Sequence, residues 1–165
     1  MEDAARPLNK RGRKGAAALG RWMEEEGLRP AVVLCSSAKR TRETLELLQG
    51  TLGARVPIQI EPGLYLADAA SLLARLRHIP REVPSVLVIA HNPGLQELVA
   101  ELAAAPGAAS TGTRARLHRK FPTAALAQFR LKLDDWRSLS PDAPSGTIKL
   151  LKVISPAQLG VGKDS

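Results

Sequence analysis

The sequence predicts an α/β domain in which a mostly parallel sheet carries helices on both faces. Two short, wholly apolar runs, Ala31 to Cys35 and Val86 to Ala90, have the composition of strands buried on both sides. Segments with apolar residues at helical spacing separate the strand-like runs. That alternation of strand and helix favours parallel strands joined by crossover helices. The chain has 165 residues, a length suited to one domain with a sizeable core. Aromatic residues make up only 3% of it, so that core must be built from Leu, Val, Ile and Ala.

Each element has its own justification. Between Arg6 and Gly27, Ala16, Leu19, Trp22 and Met23 recur at helical spacing, and Gly27 suits a C-terminal cap. After the strand at Ala31 to Cys35, Ser36 and Ser37 offer an N-cap for a helix from about Ala38 to Leu52, with Leu45, Leu48 and Leu52 on one side. Val56 to Ile60 reads as a strand. Ala67 to Ile79 reads as a helix with Leu72, Leu73, Leu76 and Ile79 inward. Val86 to Ala90 is the most apolar strand, and Asn92-Pro93 opens a helix carrying Leu95, Leu98, Val99 and Leu102. From 103 to 120 the residues turn small, polar and basic, which predicts an irregular loop. Thr123 to Leu131 and Thr147 to Ile154 read as two late strands, and a loose tail is expected from about Pro156.

Composition narrows the functional classes. The lone cysteine, Cys35, excludes an internal disulfide and fits a reducing compartment. No apolar run approaches the roughly 20 residues needed to span a bilayer. The polar N-terminus does not resemble a signal peptide, so a cytoplasmic protein without membrane association is expected. The net charge of +8 is carried partly by Arg6 to Lys14 and by Arg114 to Lys120. No aromatic residues interleave with these groups, so a solvated basic face is preferred over nucleic-acid binding.

Two strand-to-helix junctions carry the chemistry. In open α/β sheets ligands bind beyond the carboxyl ends of the strands. Cys35-Ser-Ser-Ala-Lys-Arg-Thr-Arg-Glu-Thr44 and Ala90-His-Asn-Pro-Gly94 both place polar side chains and free backbone N–H groups there. Arg40 brings a guanidinium able to grip two phosphate oxygens, and His91 brings an imidazole that exchanges protons near neutrality. Together they suggest a phosphate pocket. A histidine that merely caps its strand is the alternative for His91.

In order along the chain, Arg6-Pro-Leu-Asn-Lys-Arg-Gly12, Ser36-Ser-Ala-Lys-Arg-Thr-Arg-Glu-Thr44, Glu61-Pro-Gly-Leu-Tyr65, Val86-Leu-Val-Ile-Ala-His-Asn-Pro93 and Phe121-Pro-Thr-Ala-Ala-Leu126 resemble the histidine phosphatase superfamily, in its SixA-like phosphohistidine phosphatase branch. The resemblance runs from about Arg6 to Ile154 and implies a single histidine-phosphatase-like domain over residues 1–165. It implies that Arg40 and His91 bind the transferred phosphoryl group, with N–H groups near Asn92 assisting. It also implies a phosphorylated protein or small phosphoester as substrate, and no metal or organic cofactor. Glu61 lies near where some members place an acid/base carboxylate, although a solvated loop carboxylate is the preferred reading of that residue.

One departure stands out. The family's nucleophile is a histidine in an Arg-His-Gly or Arg-His-Ala motif closing the first strand, a short distance before the Arg-Pro-Leu segment. Only five residues precede Arg6, none of them histidine, and neither His78 nor His118 follows an apolar strand. The expectation is therefore a fold without its first strand, leaving the strands around Val33 and Val88 without a shared neighbour and exposing sheet edges that favour self-association. An internal methionine read as the start of a longer gene is the preferred explanation, ahead of true truncation or of another strand filling the gap. The chain as written is expected to hold phosphate with impaired or no catalysis, because a covalent intermediate needs its nucleophile. The alternative is a non-catalytic module for a phosphorylated or acidic partner.

Overall fold

The computed structural model describes residues 2–53 and 55–162. Among the described residues five α-helices and five strands follow one another, alternating up to α4: α1 (Lys10–Glu25), β1 (Val32–Ser36), α2 (Lys39–Leu52), β2 (Ile58–Glu61), α3 (Ala69–Arg77), β3 (Val86–Ile89), α4 (Gly94–Ala103), α5 (Thr111–Arg119), β4 (Leu126–Leu131) and β5 (Ile148–Ile154). Strands β2, β1 and β3 form a parallel sheet in that order, and β4 pairs with β5 in a separate antiparallel sheet.

β1 is central, and all five of its residues are buried. Alternate side chains of a strand point to opposite faces. Val32 and Leu34 accordingly join Leu72, Leu73, Leu76, Leu98 and Leu102 in the core on the α3 and α4 side. Val33 and Cys35 join Leu19, Met23, Leu45, Leu48 and Leu52 on the α1 and α2 side. Helices therefore cover both faces, as the apolar runs require.

Several expectations are corrected. β1 and β3 do not lack a shared neighbour: they pair directly, Val33 opposite Leu87 and Leu34 opposite Val88. The opening lies instead on the far side of β3. There β3 and β4 flank an apolar groove of about 360 Å³, floored by Leu95, Leu98, Val99 and Leu102 of α4. Val86, Leu87 and Val88 are consequently only half-buried, in spite of the strand's wholly apolar composition. The late strands do not extend the parallel sheet; they form their own hairpin-like pair beyond the groove.

The segment 103–120 is not an irregular loop throughout. It contains α5, whose N-cap Ser110 accepts a hydrogen bond from the Thr113 N–H. Leu117, its one buried residue, packs with Val99, Ala103 and Phe121. The tail is not loose from Pro156 either. Ser155 and Gln158 form a capping box for the short 3₁₀ turn Pro156–Leu159, and a Cβ built on Gly15 of α1 would lie 3.2 Å from the Pro156 ring. Residues 163–165 lie outside the described residues. Finally, Ala38, not Ser36 or Ser37, occupies the N-cap of α2 and offers no side-chain cap.

One glycine sets the approach of α4. A Cβ built on Gly94 would sit 1.9 Å from the Ala67 carbonyl oxygen and 3.1 Å from its carbonyl carbon, both backbone atoms. The first turn of α4 thus rests on the backbone leading into α3, and any side chain there must push it away. Gly94→Ala is expected to cost about 3 kcal/mol of stability, read as a lowered urea midpoint. The unpaired edges make a second expectation: backbone amides of β1 fall in the slowest class in native-state hydrogen exchange, whereas β3 and β4 amides directed at the groove exchange earlier.

Candidate functional site

The candidate site lies at the carboxyl ends of β1 and β3, where parallel strands hand over to helices. Ser36, the last residue of β1, is fully buried, and its Oγ lies 2.8 Å from Nε2 of His91. The same Oγ accepts from the Ala38 N–H at 3.3 Å. The Thr41 hydroxyl donates to the carbonyls of Ser36 and Ala38, each at 2.8 Å. These bonds fold the Ser36–Ala38 turn tightly onto the start of α2, which puts Arg40 in the first helical turn beside His91.

His91 is held from the other side by α4. Its carbonyl accepts from the Leu95 N–H at 2.9 Å. The residue is 7% exposed, and its ring meets the Tyr65 ring edge-on, with centroids 5.5 Å apart. Burial, reinforced by the Arg40 charge, pulls its pKa down to about 4. The imidazole is therefore neutral at neutral pH, with one ring nitrogen a donor and the other an acceptor.

Arg40 lies over the Tyr65 ring at 5.9 Å and directs its guanidinium to Asp3. One N–H donates to the Asp3 carbonyl at 2.9 Å and another to Asp3 Oδ2 at 3.1 Å. The Tyr65 hydroxyl donates to that same carboxylate oxygen. These hydrogen bonds, with the Arg40 and Arg6 charges, hold the Asp3 carboxyl below the usual carboxylate range, the Tyr65 bond contributing most. A carboxylate is thus already seated on Arg40 and Tyr65, the ring of the latter meeting His91.

The other sequence-predicted residues sit differently. The Asn92 amide donates to the Phe121 carbonyl at 2.8 Å, and its side-chain oxygen accepts from the Gln96 N–H at 3.2 Å. That side chain ties the start of α4 to the segment entering β4. Glu61 is not a solvated loop carboxylate. It ends β2, and each of its oxygens accepts from Arg75 at 2.7 Å. Such a bidentate pair fixes the carboxylate's orientation. Cys35 is buried beside the site and its thiol is pushed up to about 11, so it is not a poised nucleophile. His78 caps α3 and makes a contact of 2.7 Å to the Ala74 carbonyl, and His118 lies on α5; neither is brought to Arg40. Among the described residues no group of three or more His, Cys, Asp and Glu side chains is placed to hold a metal ion, and no helix is long and apolar enough to cross a membrane.

Sequence reasoning missed Ser36, Tyr65 and Asp3 as members of the site. Ser36 and Tyr65 lie inside the quoted motifs, but nothing in their spacing says that they meet His91. Asp3 had no signal at all.

Comparison with known proteins bears on the family and the fold. The family model for the histidine phosphatase superfamily (branch 1) matches residues 3–68. An uncharacterized protein of Mycobacterium tuberculosis is 30% identical over 141 residues, covering 86% of this chain and 85% of its own. One from Mycobacterium leprae is 30% identical over 127 residues, 77% of this chain and 75% of its own. A SixA structure from Nakamurella multipartitia superposes with a TM-score of 0.77 at 28% identity, covering 94% of this chain and 88% of that one. The protein histidine phosphatase SixA complexed with tungstate superposes with a TM-score of 0.72 at 28% identity, covering 96% and 90%. The chain belongs to branch 1 of the histidine phosphatase superfamily and has the α/β fold of the SixA structures.

Proposed function

We propose that the chain carries the phosphoryl-binding half of a phosphohistidine phosphatase site. The observation behind this reading is the carboxylate already held by Arg40 and the Tyr65 hydroxyl, with the neutral His91 ring packed against that tyrosine. The tungstate held by a SixA relative, an oxyanion of phosphate-like shape, supports the same class of ligand. In this reading the Arg40 guanidinium grips two phosphoryl oxygens, His91 hydrogen-bonds a third, and N–H groups at the start of α4 near Asn92 add to the field. Glu61 is left out of proton transfer, because its pairing with Arg75 occupies both oxygens.

The reaction needs one more group. A histidine nitrogen attacks phosphorus in line, the phosphorus–leaving-group bond breaks, and water then cleaves the new phosphorus–nitrogen bond. Arg40 and His91 stabilise the equatorial oxygens in both steps. No described histidine other than His91 reaches the site, and His91 is held by Ser36 and buried. The apolar groove between β3 and β4 is the place where an additional strand, running parallel to β3, would deliver such a histidine beside Arg40. Without it the chain binds phosphate and does not turn it over, which is the non-catalytic alternative in physical terms.

Three measurements test this. Calorimetric titration with tungstate is expected to show binding that Arg40→Ala weakens ten- to a hundredfold, the loss of charge-assisted hydrogen bonds worth about 1.5–3 kcal/mol. The chain as written is expected to leave a phosphohistidine peptide and a chromogenic phosphoester unhydrolysed, whereas an in-frame upstream extension encoding an apolar strand that closes on Arg-His restores turnover. Robust hydrolysis by the unextended chain, abolished by His91→Ala, would sink the two-part reading. Stability supplies the third. The His91 pKa is about 4 in the folded protein against about 6.5 in the unfolded one, so the unfolded state binds more protons between those values. Folding stability is expected to fall as pH drops from about 6.5 to about 4, and His91→Gln flattens that part of a thermal-melt profile.

A further inference from the structure

Asp3 occupies Arg40 more completely than an incidental surface pair does. It takes two N–H groups of the guanidinium, one with its carbonyl at 2.9 Å and one with Oδ2 at 3.1 Å, and it takes the Tyr65 hydroxyl with the same Oδ2. Its other carboxylate oxygen pairs with Arg6 at 3.0 Å. Arg40 and Tyr65 come from different parts of the chain, the first turn of α2 and the end of the turn after β2, and the ring of Tyr65 also touches His91. Arg40 and Tyr65 therefore both donate to one carboxylate oxygen, with the His91 ring packed against that tyrosine. We propose that Asp3 is a resident stand-in for the phosphoryl group and that Tyr65 is a third ligand of the incoming anion. This rests on the phosphate-site reading above.

The stand-in is built to leave. It lies in the short 3₁₀ turn Asp3–Ala5, which buries none of its residues. The Asp3 side chain remains 43% exposed and Arg6 64% exposed, so the segment is held by polar contacts in water, which are individually weak. A phosphoryl dianion brings more charge and more acceptor oxygens than a carboxylate to the same donors. A tethered carboxylate still competes effectively, because it is always at high local concentration. Apparent affinity for a free anion is then reduced by the fraction of molecules in which Asp3 is seated. When the anion enters, the Tyr65 hydroxyl and the Arg40 fork transfer from Asp3 to it, and the 3₁₀ turn swings out.

Tungstate titration of the chain and of three variants, paired with carboxyl-carbon NMR of Asp3, tests the exchange. Asp3→Asn removes the competing charge in a segment with no buried residue and is expected to tighten tungstate binding about three- to tenfold. Tyr65→Phe placed in that Asp3→Asn background, where no stand-in needs holding, is expected to weaken binding by a similar factor because a direct donor is lost. Saturating tungstate should move the Asp3 carboxyl resonance of the unaltered chain to that of a solvated aspartate. Unchanged or weaker binding by Asp3→Asn, with Arg40→Ala still weakening it ten- to a hundredfold, overturns the stand-in while leaving the phosphate site intact. Equal affinity of the Asp3→Asn chain with and without Tyr65→Phe overturns the role given to Tyr65. Absence of tungstate binding by both the unaltered chain and Asp3→Asn overturns the phosphate-site reading itself.

Discussion

The buried hydrogen bond between Ser36 and His91 is the constraint on which the site depends. It joins the carboxyl ends of two adjacent parallel strands across 55 residues of sequence, at 2.8 Å and with Ser36 wholly buried. A polar side chain out of water needs its partner, since an unpaired buried group costs about 1–3 kcal/mol. The register that puts Cys35 opposite Ile89 is therefore also the register that satisfies both side chains. From that pair the rest follows locally. The turn after Ser36 sets the first residues of α2 and with them Arg40, and the carbonyl of His91 accepts from the first turn of α4. Gly94 lets that turn approach the backbone before α3 closely enough for the helix to start there.

The same sheet that is closed at β1 is open at β3. β1 has a partner on both edges and is buried along its length, while β3 has one partner among the described residues and faces the groove with its other edge. β4 faces that groove from the opposite side. A strand with an apolar side-chain set and unpaired backbone groups is the kind of edge that proteins ordinarily cover. Here the covering is partial, from α4 and Phe129, and Val86 to Val88 stay half-buried. The candidate site and the open edge are therefore physically separate: Arg40, Ser36 and His91 are set by the β1–β3 pairing, on the edge of β3 away from the groove.

That separation explains what the sequence made legible. Val32 to Ser36 and Val86 to Ile89 announce themselves because each is a short run with no polar face, and Leu45, Leu48 and Leu52 because they recur at helical spacing. Arg40 and His91 stand out in the sequence because they sit at strand-to-helix junctions, where anions bind in open α/β sheets. Order across the sheet was not legible. Periodicity says which face a residue takes, not which strand lies beside it, so the opening was expected between β1 and β3 and lies between β3 and β4. Helix α5 escaped because one buried leucine, Leu117, leaves no apolar stripe; a Ser110 cap and contact with α4 hold it instead. Tyr65 escaped because its role comes from contacts across 62 residues to Asp3 and across the fold to His91, which no local pattern encodes.

The electrostatics give the arrangement its direction. A neutral, desolvated imidazole beside a fixed guanidinium is a site with one positive charge and little counter-charge of its own; Asp3 supplies that charge from a segment with no buried anchor. His91 resists protonation mainly because it is buried, and secondarily because Arg40 is near. An anion of higher charge seated between them would oppose both causes: it attracts a proton to the ring and offsets the guanidinium. The pKa of His91 should therefore rise when the site is filled, and by linkage the anion should bind more tightly as the solution becomes more acid, down to the point where the anion itself takes up the proton. A histidine that only capped β3, with no anion seated beside it, would show no such coupling.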